Sequence, residues 1–147
     1  MTGWIIDTNV ISETRRARPD RSVMEWIDTV VLNRLFTTTV TLAEIRHGIL
    51  LQQDAESAHL LTLWLTNAVR PWFEDRIVEI GENEFVRWRI LMRSLQLRKL
   101  PAPATDLLIA ATALEHSMAV ATRDVRPFVG TGVPVLNPWT GERFNGA

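Results

Sequence analysis

Trp4-Ile5-Ile6-Asp7-Thr8-Asn9 is the stretch that decides the fold. Its apolar run stops abruptly at polar residues, the pattern of a short buried strand followed by a polar turn. Similar runs recur along the chain. Leu35 to Val40 is rich in Thr, Val and Phe and reads as a second strand. Ile77 to Ile80 reads as a third, Ala119 to Thr122 as a fourth and Val133 to Leu136 as a short fifth. Helical patterns lie between them. Val23, Trp26, Ile27 and Val30 recur at helical spacing, and Leu42, Ile45 and Ile49 share one face of a helix expected over Thr41–Gln53. Ser57 to Val69 is a strongly apolar helix that Pro71 is expected to end. Glu82 to Arg98 is amphipathic, and Thr105 to His116 carries Ala110, Ala111 and Ala113, which permit close packing. Strands alternating with helices imply right-handed crossovers. The expected fold class is α/β, a three-layer α/β/α sandwich around a mainly parallel sheet of about five strands. No repeat, low-complexity tract or linker divides residues 1–147, which read as one domain.

The composition narrows the function. The 46% apolar and 22% charged residues suit a globular protein, and the net charge of −1 provides no bulk attraction to nucleic acid. Any such contact must come from a local patch. Lys99 is the only lysine, so the positive charge is almost all arginine, which favours bidentate phosphate recognition or reflects codon bias. The absence of cysteine excludes disulfides, thiolate metal sites and a cysteine nucleophile. With no signal-like N-terminus and no membrane-length apolar run, the expectation is a cytoplasmic protein without membrane contact.

Asp7, Glu44, Asp106 and Asp124 are the candidate site. Each stands where a strand pattern ends or a helix begins, and in a parallel α/β sheet ligands bind beyond the carboxyl ends of the strands. Each acid has a structural alternative. Asp7 and Asp124 could be turn or cap residues, Asp106 could complement a helix dipole, and Glu44 could close a capping box with Thr41. Arg123 could pair with Asp124 or contact phosphate. Gly48, one turn after Glu44 on the same face, implies a packing or access requirement. Together the four acids point to a divalent cation, with hard oxygen ligands favouring Mg²⁺ or Mn²⁺ over zinc, and to phosphoryl transfer.

These residues resemble the PIN-domain ribonucleases, and within them the VapC and FitB toxins of toxin–antitoxin pairs. Ile5-Ile6-Asp7-Thr8-Asn9 is similar to the family's opening strand and first acid. Thr41 to Gly48 is similar to the second-acid helix, Asp106 to Ala113 to the third-acid helix and Thr122-Arg123-Asp124 to the fourth-acid turn. Asn137-Pro138-Trp139 resembles the ending of the FitB-like branch, whose members keep an acid where many relatives have Asn in place of Asp124. The resemblance implies a PIN-like fold, a catalytic site of Asp7, Glu44, Asp106 and Asp124, and Mg²⁺ or Mn²⁺ held by Asp7, Asp106 and Asp124. It further implies endonucleolytic RNA cleavage, a homodimer, a cognate VapB- or FitA-like antitoxin, and operator DNA contacted indirectly through that antitoxin. Asp7 and Asp106 would be the principal ligands, Asp124 direct or water-mediated, and Glu44 would hold a water or act as general base. Asn9 and Thr122 would orient waters around them. Arg15, Arg16, Arg18, Arg21 and Arg123 are candidates for phosphate contacts, a solvated arginine run being the alternative.

Rival chemistries fail on their residues. The single Glu44-x-x-His47 element is half of a di-iron set, and that chemistry needs an all-helical bundle. No G-x-S-x-G elbow, paired histidine spacing, Walker A loop or G-x-G-x-x-G is present. The remaining rival is a non-catalytic partner subunit of a DNA-bound toxin–antitoxin repressor, with the apolar faces of Ser57–Val69 and Glu82–Arg98 serving assembly or simply filling the core. The six tryptophans are core or RNA-stacking residues, and periodicity places Trp26 and Trp88 in the core.

Overall fold

The computed structural model describes residues 2–145; the expected domain span of 1–147 also takes in Met1, Gly146 and Ala147, which lie outside the described residues. The chain runs β1 (Trp4–Ile6), α1 (Thr8–Glu13), α2 (Arg21–Thr29), β2 (Leu35–Thr38), α3 (Thr39–Leu50), α4 (Ala55–Trp64), α5 (Arg70–Phe73) and β3 (Ile77–Val78). It continues through α6 (Glu82–Leu97), α7 (Ala104–Glu115), β4 (Ala119–Ala121), β5 (Val135–Leu136) and β6 (Arg143–Phe144). The described sheet has six strands in the order β3-β2-β1-β4-β5-β6. All neighbours are parallel except β5 and β6, where Val135 pairs with Phe144. The sheet therefore has one antiparallel edge strand beyond the five expected. Among the described residues no helix is long and apolar enough to cross a membrane.

Alternation along the strands builds the three layers. Trp4 and Ile6 of β1, Ala119 and Ala121 of β4 and Leu136 of β5 face one core with Val10, Ile11, Val23, Ile45, Leu65 and Phe73. Ile5, Val120 and Val135 face the other with Leu91, Leu95, Leu107, Ile109 and Phe128. Helices α1 to α5 thus cover one face and α6 and α7 the other. Gly3 permits close approach of β1 to β2, since a Cβ there would lie 2.7 Å from the Arg34 carbonyl oxygen. Trp26 is half-buried and meets Trp4 edge-to-face at 5.3 Å between ring centroids. Trp88 is also half-buried, and its indole N–H donates to the Ala104 carbonyl at 2.9 Å.

Several boundaries differ from the sequence reading for local physical reasons. The polar turn after Asp7 is a short helix, α1, whose buried Val10 and Ile11 pack on the core. Helix α3 begins at Thr39, two residues early, because the Thr38 side chain accepts from the Thr41 N–H at 3.1 Å. Pro71 does not end the apolar helix. A wide π turn over Leu65–Val69, closed by the Arg70 N–H on the Leu65 carbonyl, precedes it, and the chain stays helical to Phe73. The wider turn accommodates a residue that has no N–H to donate. The run stops at Glu74, whose φ of 51° leaves the helical region.

Candidate functional site

Strand β1 ends by delivering Asp7, whose backbone N–H bonds the Ala121 carbonyl at 3.0 Å. Asp7 is the N-cap of α1, and its Oδ1 accepts the Thr8 N–H at 2.8 Å. Its Oδ2 accepts the Thr122 hydroxyl at 2.8 Å. The capping alternative is therefore real, but it uses one lone pair on one oxygen. Asp7 is 8% exposed. Burial pushes its carboxyl up, the Thr122 and Thr8 bonds hold it down, and the charges of Glu44 and Asp124 push it up again.

Thr122, at the end of β4, joins the first and fourth acids. Its hydroxyl donates to Asp7 and accepts from the Asn9 amide at 3.2 Å, while Asn9 Oδ1 accepts the Arg123 N–H at 3.2 Å. Asn9 thus ties α1 to the turn that carries Asp124. The Asp124 carboxylate is half-exposed and pairs with Arg126, not with Arg123, at 3.0 Å from the guanidinium Nε. Arg126 holds Asp124 below its ordinary range, first through the hydrogen bond and then through charge. Arg123 projects instead over the Trp139 ring, 5.1 Å from its centroid.

Glu44 sits on α3, and because that helix starts at Thr39 the expected capping box with Thr41 does not form. The Glu44 Oε2 accepts the Thr8 hydroxyl at 3.1 Å across the sheet edge. Close packing does not require a glycine at position 48. A Cβ there meets nothing within 4 Å, and Gly48 lines the same cavity as Glu44.

Asp106 lies in the first turn of α7 and is half-buried. Its carboxyl is pushed up to about 6, first by burial and then by the charges of Asp7, Glu44 and Asp124. The fold therefore turns all four candidate acids into one electrostatic neighbourhood. Among the described residues they do not close into a cage of three or more ligating side chains. Their chemistry nevertheless suits a hard cation. Among the described residues Asp106 has no side-chain hydrogen bond or ion pair to relieve its charge, Asp7 keeps a free lone pair on each oxygen, and Asp124 is engaged by Arg126.

The arginine cluster divides. Arg15, Arg16 and Arg123 line the cavity beside Glu44. Arg16 is paired with buried Glu13 at 3.2 Å, and Arg15 lies over the Trp64 ring at 5.5 Å. Arg21 bonds Glu25 on the surface of α2, and neither Arg18 nor Arg21 lines that cavity. Sequence reasoning missed Thr8 and Arg126. Thr8 follows the first acid directly, and its hydroxyl was the available signal. Arg126 stands only two residues after Asp124, a proximity that was the available signal; the adjacent Arg123 was the nearer candidate.

The PIN domain family matches residues 4–131 of the chain. The plasmid stability protein StbB of Pseudomonas syringae pv. tomato is 36% identical over 92% of this chain and 97% of its own length. Toxin FitB of Neisseria gonorrhoeae is 34% identical over 92% and 97%. A VapC ribonuclease of Sinorhizobium fredii is 33% identical over 92% and 96%. The crystal structure of FitAcB from Neisseria gonorrhoeae superposes with a TM-score of 0.86 at 34% identity, covering 92% of this chain and 98% of the matched one. The structure of FitAB bound to a DNA fragment gives 0.85 at the same identity, covering 92% and 95%. The family match, the identities over most of each chain and the shared fold agree: the chain belongs to the PIN-domain family, in the branch that holds the FitB and VapC proteins.

Proposed function

We propose that this protein is the toxin of a toxin–antitoxin pair, a divalent-metal-dependent endoribonuclease acting as one domain over residues 1–147 in the cytoplasm. The observation that carries the reading is Asp106, a carboxylate raised to about 6 by burial and by three neighbouring acids. A group so placed is relieved by a cation, and the donor set is entirely carboxylate oxygen. The VapC relative is named a ribonuclease and FitB a toxin, which supports the same activity here.

Asp7 and Asp106 would be the principal ligands of Mg²⁺ or Mn²⁺. Asp124 would contribute through water while Arg126 keeps its hold. When bound, such an ion activates water and stabilises charge on the attacked phosphate. The chain's own residues do the positioning. The Thr8 N–H and the Thr122 hydroxyl fix both oxygens of Asp7. Thr8 steers Glu44 toward the cavity, where its carboxylate takes the proton of the attacking water or holds that water in line. Asn9 and Thr122 keep the Asp124 turn in register with Asp7.

The chain would act as a homodimer and bind a cognate antitoxin. FitAB is seen on DNA, which supports operator contact made through the antitoxin and joins the regulatory reading to the enzymatic one. The test is cleavage of a mixed RNA and tRNA pool by wild type and Asp7→Asn, with Mg²⁺, Mn²⁺ or EDTA. Cleavage by wild type alone, abolished by EDTA, is expected. Folded wild type that cuts nothing with either metal, or an Asp7→Asn variant as active as wild type, would overturn the proposal.

A further inference from the structure

The cavity of about 600 Å³ beside Glu44 has a composition that the four acids do not explain. Its walls hold Trp64 and Trp139, and each indole carries a guanidinium: Arg15 at 5.5 Å from the Trp64 centroid and Arg123 at 5.1 Å from that of Trp139. Both tryptophans are half-buried and packed against the core, so their orientation is set before any ligand arrives. The backbone at Trp139 is held by its main-chain N–H on Asn137 Oδ1 at 2.9 Å, while the Asn137 amide donates to the Arg123 carbonyl at 3.3 Å. Also in the lining, buried Glu13 accepts the Asp20 N–H at 3.0 Å and pairs with Arg16, which ties the arginine loop to the cavity.

We infer that Trp64 and Trp139 are base-stacking platforms for the RNA strand and that Arg15 and Arg123 take the adjoining phosphates. The inference rests on the ribonuclease reading and names residues that would hold its substrate. A net charge of −1 gives no general pull on RNA, and the carboxylates at one end repel phosphate. Binding must therefore be local, and aromatic faces with mobile cations are the local means of holding a strand regardless of sequence. On binding, each exposed guanidinium moves from the indole to a phosphate and a base takes its place. A recess of this size admits splayed nucleotides, and stacking on the indoles needs bases that are not paired in a duplex.

The test is fluorescence anisotropy of labelled single-stranded and duplex RNA with the full chain in EDTA, where nothing is cut, followed by cleavage in Mg²⁺. Trp64→Leu and Trp139→Leu should each weaken single-strand binding about tenfold, while Trp→Phe at either position stays within about threefold and guards against misfolding. Arg15→Gln and Arg123→Gln should each lower the slope of log affinity against log salt by about 0.7. Duplex RNA should bind far more weakly. Cleavage and binding that persist unchanged in the leucine variants, or duplex bound as well as single strand, would overturn the inference and leave the ribonuclease reading intact. Loss of antitoxin binding alone in those variants would assign the cavity to the protein partner and overturn it too. No RNA binding and no cleavage by wild type would overturn both.

Discussion

Replacing Asp106 with Asn should stabilise the metal-free protein at neutral pH and destabilise it relative to wild type once a divalent ion is added. The Asp106 carboxyl moves from the ordinary 3.8 in the unfolded chain to about 6 in the folded one. Between those values the folded state binds the extra proton, so this group's contribution to stability falls as pH rises from about 4 through 6 and stays lost above it. A shift of that size corresponds to ~3 kcal/mol for a fully buried group, and solvent screening of a half-buried one reduces it to about 1–2 kcal/mol. Asp106→Asn removes the charge without changing the shape. In EDTA at pH 7 the variant should gain about 1–2 kcal/mol, or about 3–6 °C in Tm, and the gain should vanish near pH 4. With Mg²⁺ at 100 times its Kd, wild type gains about 2.7 kcal/mol and the order reverses. Urea unfolding of both proteins at several pH values, with and without Mg²⁺, measures each arm. A variant less stable than wild type in EDTA at pH 7, or a difference independent of pH, would refute the reasoning.

Thr122→Val removes the hydroxyl on Asp7 Oδ2, so the Asp7 carboxyl should climb further. Cleavage should fall about 10–100-fold, and the acid limb of the pH–rate profile should move to higher pH because Asp7 must be ionised to work. Arg126→Gln releases Asp124, whose carboxyl returns toward its ordinary range. Calorimetry at pH 7 should show Mn²⁺ bound a few-fold more tightly, with the unfolding midpoint unmoved. Gly48→Ala places a Cβ in open space within α3 and should stabilise by about 0.5–1 kcal/mol in urea. The same methyl enters the cavity beside Glu44, so cleavage should fall while stability rises.

Where an element buried one face over several turns, its residue pattern declared it. The apolar periodicity of α6 and α7 and the run Trp4–Ile6 placed the helices and the central strand within a few residues. Helix α1 did not show, because six residues hold only Val10 and Ile11 as an apolar signal and open with polar ones. Strand β6 did not show, because Arg143 and Phe144 pair only after the chain reverses near Gly141, whose φ is 78°. Pro71 misled because proline ends a regular helix, and no pattern announces a π turn that lets the chain continue. Asp7, Asp106 and Asp124 could be singled out because each stands near an element's end, where a parallel sheet gathers its functional groups, whereas Glu44 lies half-way along α3. Their partners were less legible. Thr8 reaches Glu44 across the sheet edge, a contact that tertiary structure alone creates, and Arg126 reaches Asp124 from two residues on through the local turn.

The central claim is that Asp7, Glu44, Asp106 and Asp124 form one divalent-cation site. Titration of Mn²⁺ followed by electron paramagnetic resonance, on wild type and Asp106→Asn at pH 5 and pH 7.5, tests it most directly. Wild type should bind saturably at pH 7.5 and much more weakly at pH 5, where Asp106 holds its proton, and the variant should not bind. Equal binding by both proteins, or binding indifferent to pH, would contradict it.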